Sequence, residues 1–207
     1  KDPSISAVVG PCLASGLANR INSSVVLANE NLDVVKKIGS IISTNYYSTE
    51  YSKDIIGAEV CAATKNIYSM LIGASEGLSS KSLDSEKKNK YYLNTAASLA
   101  YKAVAEMKNL TIKLNGKEES AYGLAGLGDL YVSSAGGRNS KMGYYLGQGY
   151  LFKDAKEKFM KEITIEGADL AHEIGPKILK EFKEKEFPLL FSVIKSICNN
   201  QKLEINW

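Results

Sequence analysis

The sequence predicts a mainly α-helical protein in which residues 54–207 form a helical domain and residues 1–53 carry the last strands of an α/β sheet. Three observations carry this. Short extended runs are confined to the first fifty positions. From residue 54 onward, apolar residues recur at helical spacing over long segments. Pro188 opens one of these segments and Pro176 stands where another can be kinked or divided.

In chain order, residues 5–9, 24–27 and 42–47, the last running on toward Tyr51, read as strands, with helix at 11–19 and 32–42 between them. Three strands without other partners leave unpaired edges and an open apolar face. The region is therefore expected to be the end of a sheet begun upstream, and the chain to start within a domain. Helices are expected at 57–76, 94–109, 139–147, 155–161, 166–183 and 189–199. The stretch 79–90, rich in Ser and Lys, reads as a solvated loop. The run Lys180 to Glu186 alternates Lys and Glu at helix-neighbour spacings, which suits a solvated helix face.

Composition bounds the function. With 207 residues, 44% hydrophobic and 24% charged, the chain is long enough for a sizeable core and ordinary for a globular protein. A net charge of +3, from nearly balanced acids and bases, gives no reason to expect nucleic-acid binding. No apolar run reaches the roughly 18 residues of a membrane span, and Lys1-Asp2-Pro3-Ser4 is no signal segment, so no span and a cytoplasmic location are expected. Cys12, Cys61 and Cys198 are odd in number and far apart, so neither disulfides nor a metal site is expected. His172, in a stretch rich in Ala and Leu, is given no chemistry.

Two places stand out chemically. Lys65 is the one charged residue between Val60 and Ser75, where partial desolvation makes an ammonium a readier proton donor; the alternative is a lysine that reaches water from the helix edge. Tyr122-Gly-Leu-Ala-Gly-Leu-Gly-Asp129-Leu130 is followed by Gly136-Gly137-Arg138-Asn139. Glycines allow close backbone approach, and Arg138 with Asn139 near a helix start suits a phosphate; a glycine-rich turn beside a surface arginine fits equally. The glycines of 123–129 are spaced G-x-x-G-x-G and follow no expected strand, so they are no dinucleotide fingerprint. Glu166-Gly167 opens a helix, where an acid can simply serve the dipole.

Gly10-Pro11-Cys12-Leu13-Ala14, Ala62-Ala63-Thr64-Lys65-Asn66, Gly126-Leu127-Gly128-Asp129-Leu130, Arg138-Asn139 and Ile165-Glu166-Gly167 occur in the order seen in NAD(P)-dependent glycerol-3-phosphate dehydrogenases, and residues 94–107 resemble a helix of that family. The resemblance spans nearly the whole chain. It implies a substrate domain of the 6-phosphogluconate-dehydrogenase C-terminal type behind a truncated Rossmann-like domain, and interconversion of dihydroxyacetone phosphate and glycerol 3-phosphate. It further implies NAD or NADP, bound mostly by an upstream domain, and a homodimer. By resemblance, Lys65 is the catalytic lysine and Asp129 the carboxylate near it. Gly10, Cys12, Asn66, Ser133, Gly137, Arg138 and Asn139 match substrate contacts, and Ala14, Arg138, Thr164 and Glu166 match cofactor contacts.

The chain departs from the family at Cys12, usually serine, at Gly16, usually glutamate, and at Lys102, where an arginine is usual. With no glycine fingerprint present, these 207 residues alone are expected to be inactive. Two rivals remain: a related dehydrogenase with another phosphorylated or acidic substrate, and a non-catalytic helical interaction module.

Overall fold

A computed structural model describes residues 4–81 and 92–206. Strand β1 (Ala7–Val9) pairs antiparallel with β2 (Ser23–Ala28), and β2 pairs parallel with β3 (Tyr47–Ser52), Ser23 opposite Tyr47 and Ala28 opposite Ser52. The sheet order is β1-β2-β3. Helix α1 (Ala14–Ala18) is shorter than expected, because Leu13 is still extended at ψ 134°. A parallel pair needs a crossover, supplied by α2 (Leu32–Ile42), whose first turn is capped by the Asn31 side chain accepting from the Asp33 amide at 3.0 Å.

The third strand starts later than the sequence suggested. Residue 42 ends α2, and the Thr44 hydroxyl then accepts from the Tyr46 and Tyr47 amides, closing a turn before β3 begins. The segment 42–47 is therefore mostly helix end and turn, and β-branched Ile42 belongs to α2.

By packing, the chain forms two compact units, Lys1–Ala62 with Met107–Val132 and Ala63–Glu106 with Ser133–Trp207. The first holds the sheet, the opening of α3 (Ile55–Ser80), the end of α4 (Tyr92–Lys113), α5 (Glu119–Tyr122), a π-helical turn at Leu124–Gly128 and the opening of α6 (Asp129–Ser134). Its core includes Val25, Leu27, Val35, Cys61, Leu110 and Leu130. Asp54 ties it together. One carboxylate oxygen accepts from the Gly57 amide at 2.9 Å, and the other from the Lys117 amide at 2.8 Å and the Ser120 hydroxyl at 2.6 Å.

The second unit takes the rest of α3 and α4, then α7 (Arg138–Gly147), α8 (Phe152–Phe159), α9 (Glu166–Glu181), a 3-10 turn at Glu184–Glu186 and α10 (Pro188–Cys198). Glycines let α3 and α7 touch backbone to backbone. A Cβ on Gly73 or Gly77 would strike the carbonyls of Ser140 or Tyr144, and one on Gly143 or Gly147 those of Met70 or Ala74, all at about 2 Å. Buried Glu106 of α4 accepts from the Leu189 and Leu190 amides at 2.7 and 3.0 Å, occupying the N-terminus of α10.

Pro176 does not divide α9, which runs unbroken from Glu166 to Glu181. A mid-helix proline costs about 3 kcal/mol. Buried Ile178, and Gly175 packed on Ile194 and Cys198 of α10, hold the helix in spite of it. Helix α3 outlasts the expected 57–76 and absorbs the start of the expected loop; positions 82–90 of that loop lie outside the described residues. Among the described residues α3 alone is long and apolar enough to cross a membrane, but half of its apolar window is buried in the protein, with Ile67, Met70 and Leu71 fully covered. That is the pattern of a core helix.

Candidate functional site

Three helices of the second unit bring their ends or sides to one place. Gly136, at φ +103°, lets the chain turn sharply before Gly137, the N-cap residue of α7. The next two residues are Arg138, whose side chain is 57% exposed, and buried Asn139. Asn139 is saturated. Its amide nitrogen donates to Asn66 Oδ1 at 3.2 Å and Glu166 Oε2 at 3.3 Å, and its carbonyl oxygen accepts from the Gly167 amide at 2.8 Å. The other oxygen of Glu166 is ion-paired with Arg138.

The first turn of α9 can come this close because residue 167 is glycine: a Cβ there would lie 2.6 Å from the Asn66 carbonyl oxygen. Asn66 on α3, Arg138 and Asn139 on α7 and Glu166 on α9 thus form one hydrogen-bonded cluster with an exposed guanidinium. An exposed fork of donors at a helix N-terminus suits an anion with several oxygens. Lys65, half-buried, precedes Asn66 on α3, and Ser133, half-buried, stands on α6, where the Gly137 Cβ position lies 2.8 Å from its carbonyl oxygen. Thr164 is exposed, two residues before Glu166.

The remaining sequence-derived residues belong to the first unit. Gly10 follows β1 at φ +141°, and a Cβ would sit 3.1 Å from Val25 Cα and 3.2 Å from the Ser24 carbonyl oxygen, so only glycine fits without strain. Its carbonyl accepts from the Cys12 amide at 2.8 Å; Cys12 is half-buried and Ala14 exposed. Burial, with the Cys12 thiol as a second cause, raises the Tyr47 phenol above its ordinary value.

The glycine stretch before Asp129 proves to be helical. Gly128 donates to the Gly123 carbonyl at 3.1 Å, the i to i+5 bond of a π-turn, and a Cβ on Gly126 would meet the Ala121 carbonyl at 2.2 Å. The turn carries the chain into α6, whose first residue is buried Asp129. So residues 123–128 serve close internal packing. The donors left for an anion are the exposed Arg138 guanidinium and the first main-chain amides of α7.

Sequence reasoning passed over Asp54, which caps α3 and borders a cleft of about 300 Å³ lined by Tyr51, Lys117, Ser120 and Leu124 among others. Its signal was present: an acid just before a long apolar run. It also passed over Glu106. Burial raises that carboxyl above its ordinary range, while the bonds from Leu189, Leu190 and Tyr68 and the charge of Lys102 pull the other way. Among the described residues no three His, Cys, Asp or Glu gather as a metal site would require.

The fold and cluster define a class: helices that follow, in chain order, three strands of an α/β sheet, with an anion-suited site where three helix segments meet. Residues 54–205 match the family described as NAD-dependent glycerol-3-phosphate dehydrogenase C-terminus, and the chain belongs to that family. It is 32% identical over 203 residues to the NADP(+)-dependent glycerol-3-phosphate dehydrogenase of Archaeoglobus fulgidus, covering 96% of this chain and 57% of that protein. A Clostridium acetobutylicum glycerol-3-phosphate dehydrogenase [NAD(P)+] is 29% identical over 202 residues, 97% of this chain and 56% of its own length. The crystal structure of the Coxiella burnetii glycerol-3-phosphate dehydrogenase superposes with a TM-score of 0.78 at 28% identity, over 95% of this chain and 57% of that one. The chain thus spans little more than half the length of these relatives.

Proposed function

We propose that this chain is the substrate-completing part of an oxidoreductase that interconverts dihydroxyacetone phosphate and sn-glycerol 3-phosphate with NAD or NADP. Residues 1–53 are then the remnant of the dinucleotide-binding domain and 54–207 the helical substrate domain, a division supported by the family match beginning at residue 54. The observation that carries the reading is the Asn66, Arg138, Asn139 and Glu166 cluster in a chain of this family, with Lys65 beside it in sequence.

In this reading Arg138 holds the phosphate through its guanidinium and Asn139 through its main-chain amide in the first turn of α7, with Gly137 and Ser133 at the same helix start and Asn66 fixing the Asn139 side chain. Lys65 donates a proton to the ketone oxygen during reduction and takes it back from the hydroxyl during oxidation, with Asp129 as the second catalytic residue of the proposal. Gly10, Cys12 and Ala14 shape the turn that meets substrate and nicotinamide, and the bare Cα of Gly10 lets that turn pack directly on Ser24 and Val25 of β2. Exposed Thr164 and Arg138 and half-buried Glu166 have the donors and acceptors a nucleotide would meet. The dinucleotide, when bound, supplies or accepts the hydride.

The test is oxidation of NADH and of NADPH with dihydroxyacetone phosphate, using the product of the complete gene. Substrate-dependent loss of absorbance, abolished by Lys65→Ala in a folded protein, is the expected result. No loss with either nucleotide, or full activity in Lys65→Ala, would overturn the reading. A homodimer and a cytoplasmic location belong to the same proposal and are checked by sedimentation and cell fractionation.

A further inference from the structure

The Lys156 ammonium lies inside a ring of three backbone carbonyls, donating to Met160 O at 2.8 Å, Lys161 O at 3.1 Å and Ile163 O at 2.5 Å. An ammonium has three protons and no acceptor capacity, so all three are used. The carbonyls belong to the turn that ends α8, closed also by the Ile163 amide donating to Met160 O at 3.1 Å. Met160 is the C-cap residue of α8, where carbonyls lack helical partners and carry partial negative charge that a cation offsets, and Lys161 and Ile163 lie just past it.

The turn leads straight to the site. Thr164 follows Ile163, buried Ile165 follows as the N-cap residue of α9, and Glu166 is the first residue of that helix. Glu166 has one oxygen on Arg138 and the other on Asn139, and the Gly167 amide bonds Asn139 Oδ1. Met160 and Ile165 are anchored in the core. Between them, the Lys156 side chain gathers three carbonyls, beside the single Ile163 to Met160 backbone bond.

We infer that Lys156 is a positioning residue: by drawing the 160–163 carbonyls onto one charge, it fixes where Thr164 and Glu166 stand against Arg138 and Asn139. It touches no ligand itself. Its part in nucleotide binding rests on the function proposed above, whereas its ordering of the turn does not. The convergence on three acceptors needs a point charge with rotatable protons, so arginine, with its planar fork, cannot replace it fully.

The first measurement is amide hydrogen exchange on the 207-residue chain and on Lys156→Met. The Ile163 and Gly167 amides should exchange at least tenfold faster in the variant, with α4 and α10 amides little changed. Equal acceleration throughout the second unit would reduce Lys156 to a stabilising residue and overturn the inference. Lys156→Arg keeps the charge, is the safer variant to fold, and should show the same selective acceleration on a smaller scale; selective change in neither variant also refutes it. The second measurement uses the complete gene product. There Lys156→Met should raise KM for the nucleotide roughly tenfold with kcat changed less than twofold. An unchanged nucleotide KM refutes the positioning role, whereas absence of activity in the unmutated protein counts against the proposed function and leaves the exchange result to decide the role of Lys156.

Discussion

Glu106 offers a test in which two physical effects oppose each other. Its carboxylate accepts from two amides at the start of α10 and from the Tyr68 hydroxyl at 3.3 Å, and it is 6% exposed. Glu106→Ala leaves three donors without that acceptor. At about 1 kcal/mol for each, the loss is about 3 kcal/mol, or roughly 10 °C in Tm for a chain of this size. The pH dependence is the sharper arm. Burial, the largest influence, raises the native carboxyl above its ordinary value of 4.5, so the folded state keeps the proton to higher pH than the unfolded state. The stability contributed by Glu106 is therefore greatest below that ordinary value and is lost as pH rises through the raised native one. Glu106→Gln mimics the protonated form and does not titrate. The stability difference between parent and Glu106→Gln, from urea midpoints at a series of pH values from 4 to 8, should accordingly shift against the parent as pH rises. A shift in the parent's favour would mean that the α10 N-terminus and the bonded amides outweigh burial, and the reasoning would be refuted.

Other outcomes follow from the same structure. Gly143→Ala sets a Cβ 1.9 Å from the Met70 carbonyl oxygen and should cost about 2–3 kcal/mol in thermal unfolding by forcing α3 and α7 apart. Asp54→Ala removes the acceptor of the Gly57 and Lys117 amides and the Ser120 hydroxyl, for a loss of about 3 kcal/mol in urea unfolding. Asn139→Asp puts a second carboxylate against Glu166 and deletes the donor to Asn66. Under the proposed function, it should raise KM for dihydroxyacetone phosphate at least tenfold in steady-state kinetics of the complete gene product. Burial pushes the Cys61 thiol up to about 11, so at pH 8 about one molecule in a thousand carries the thiolate; mass spectrometry after brief iodoacetamide treatment should find Cys61 unlabelled in the folded chain and labelled in urea.

What the sequence disclosed and what it hid divide along a physical line. The helices were legible wherever a periodic apolar face is local, as in α3 and α10, and Pro188 marked its own helix start. The onset of β3 was hidden because a Thr44 side-chain turn, rather than any apolar pattern, decides it. Pro176 misled because its local cost is met by contacts from α10, which no window around residue 176 contains. Arg138, Asn139, Asn66 and Glu166 could be singled out as chemical types, yet their joining depends on contacts between segments dozens of residues apart. Gly167 must be bare for α9 to approach the Asn66 backbone, and Gly143 and Gly147 for α7 to lie along α3. The glycines at 73 and 77 and at 143 and 147 share a four-residue spacing, but a spacing does not name its partner. Lys156 was harder still: its three acceptors are backbone carbonyls, which every residue has. Only the path of the chain around α8 distinguishes it from the exposed lysines at 153 and 158. A residue that holds a site through the main chain leaves no motif, so such positions have to be read from geometry, and Lys156 is where that reading goes beyond the sequence.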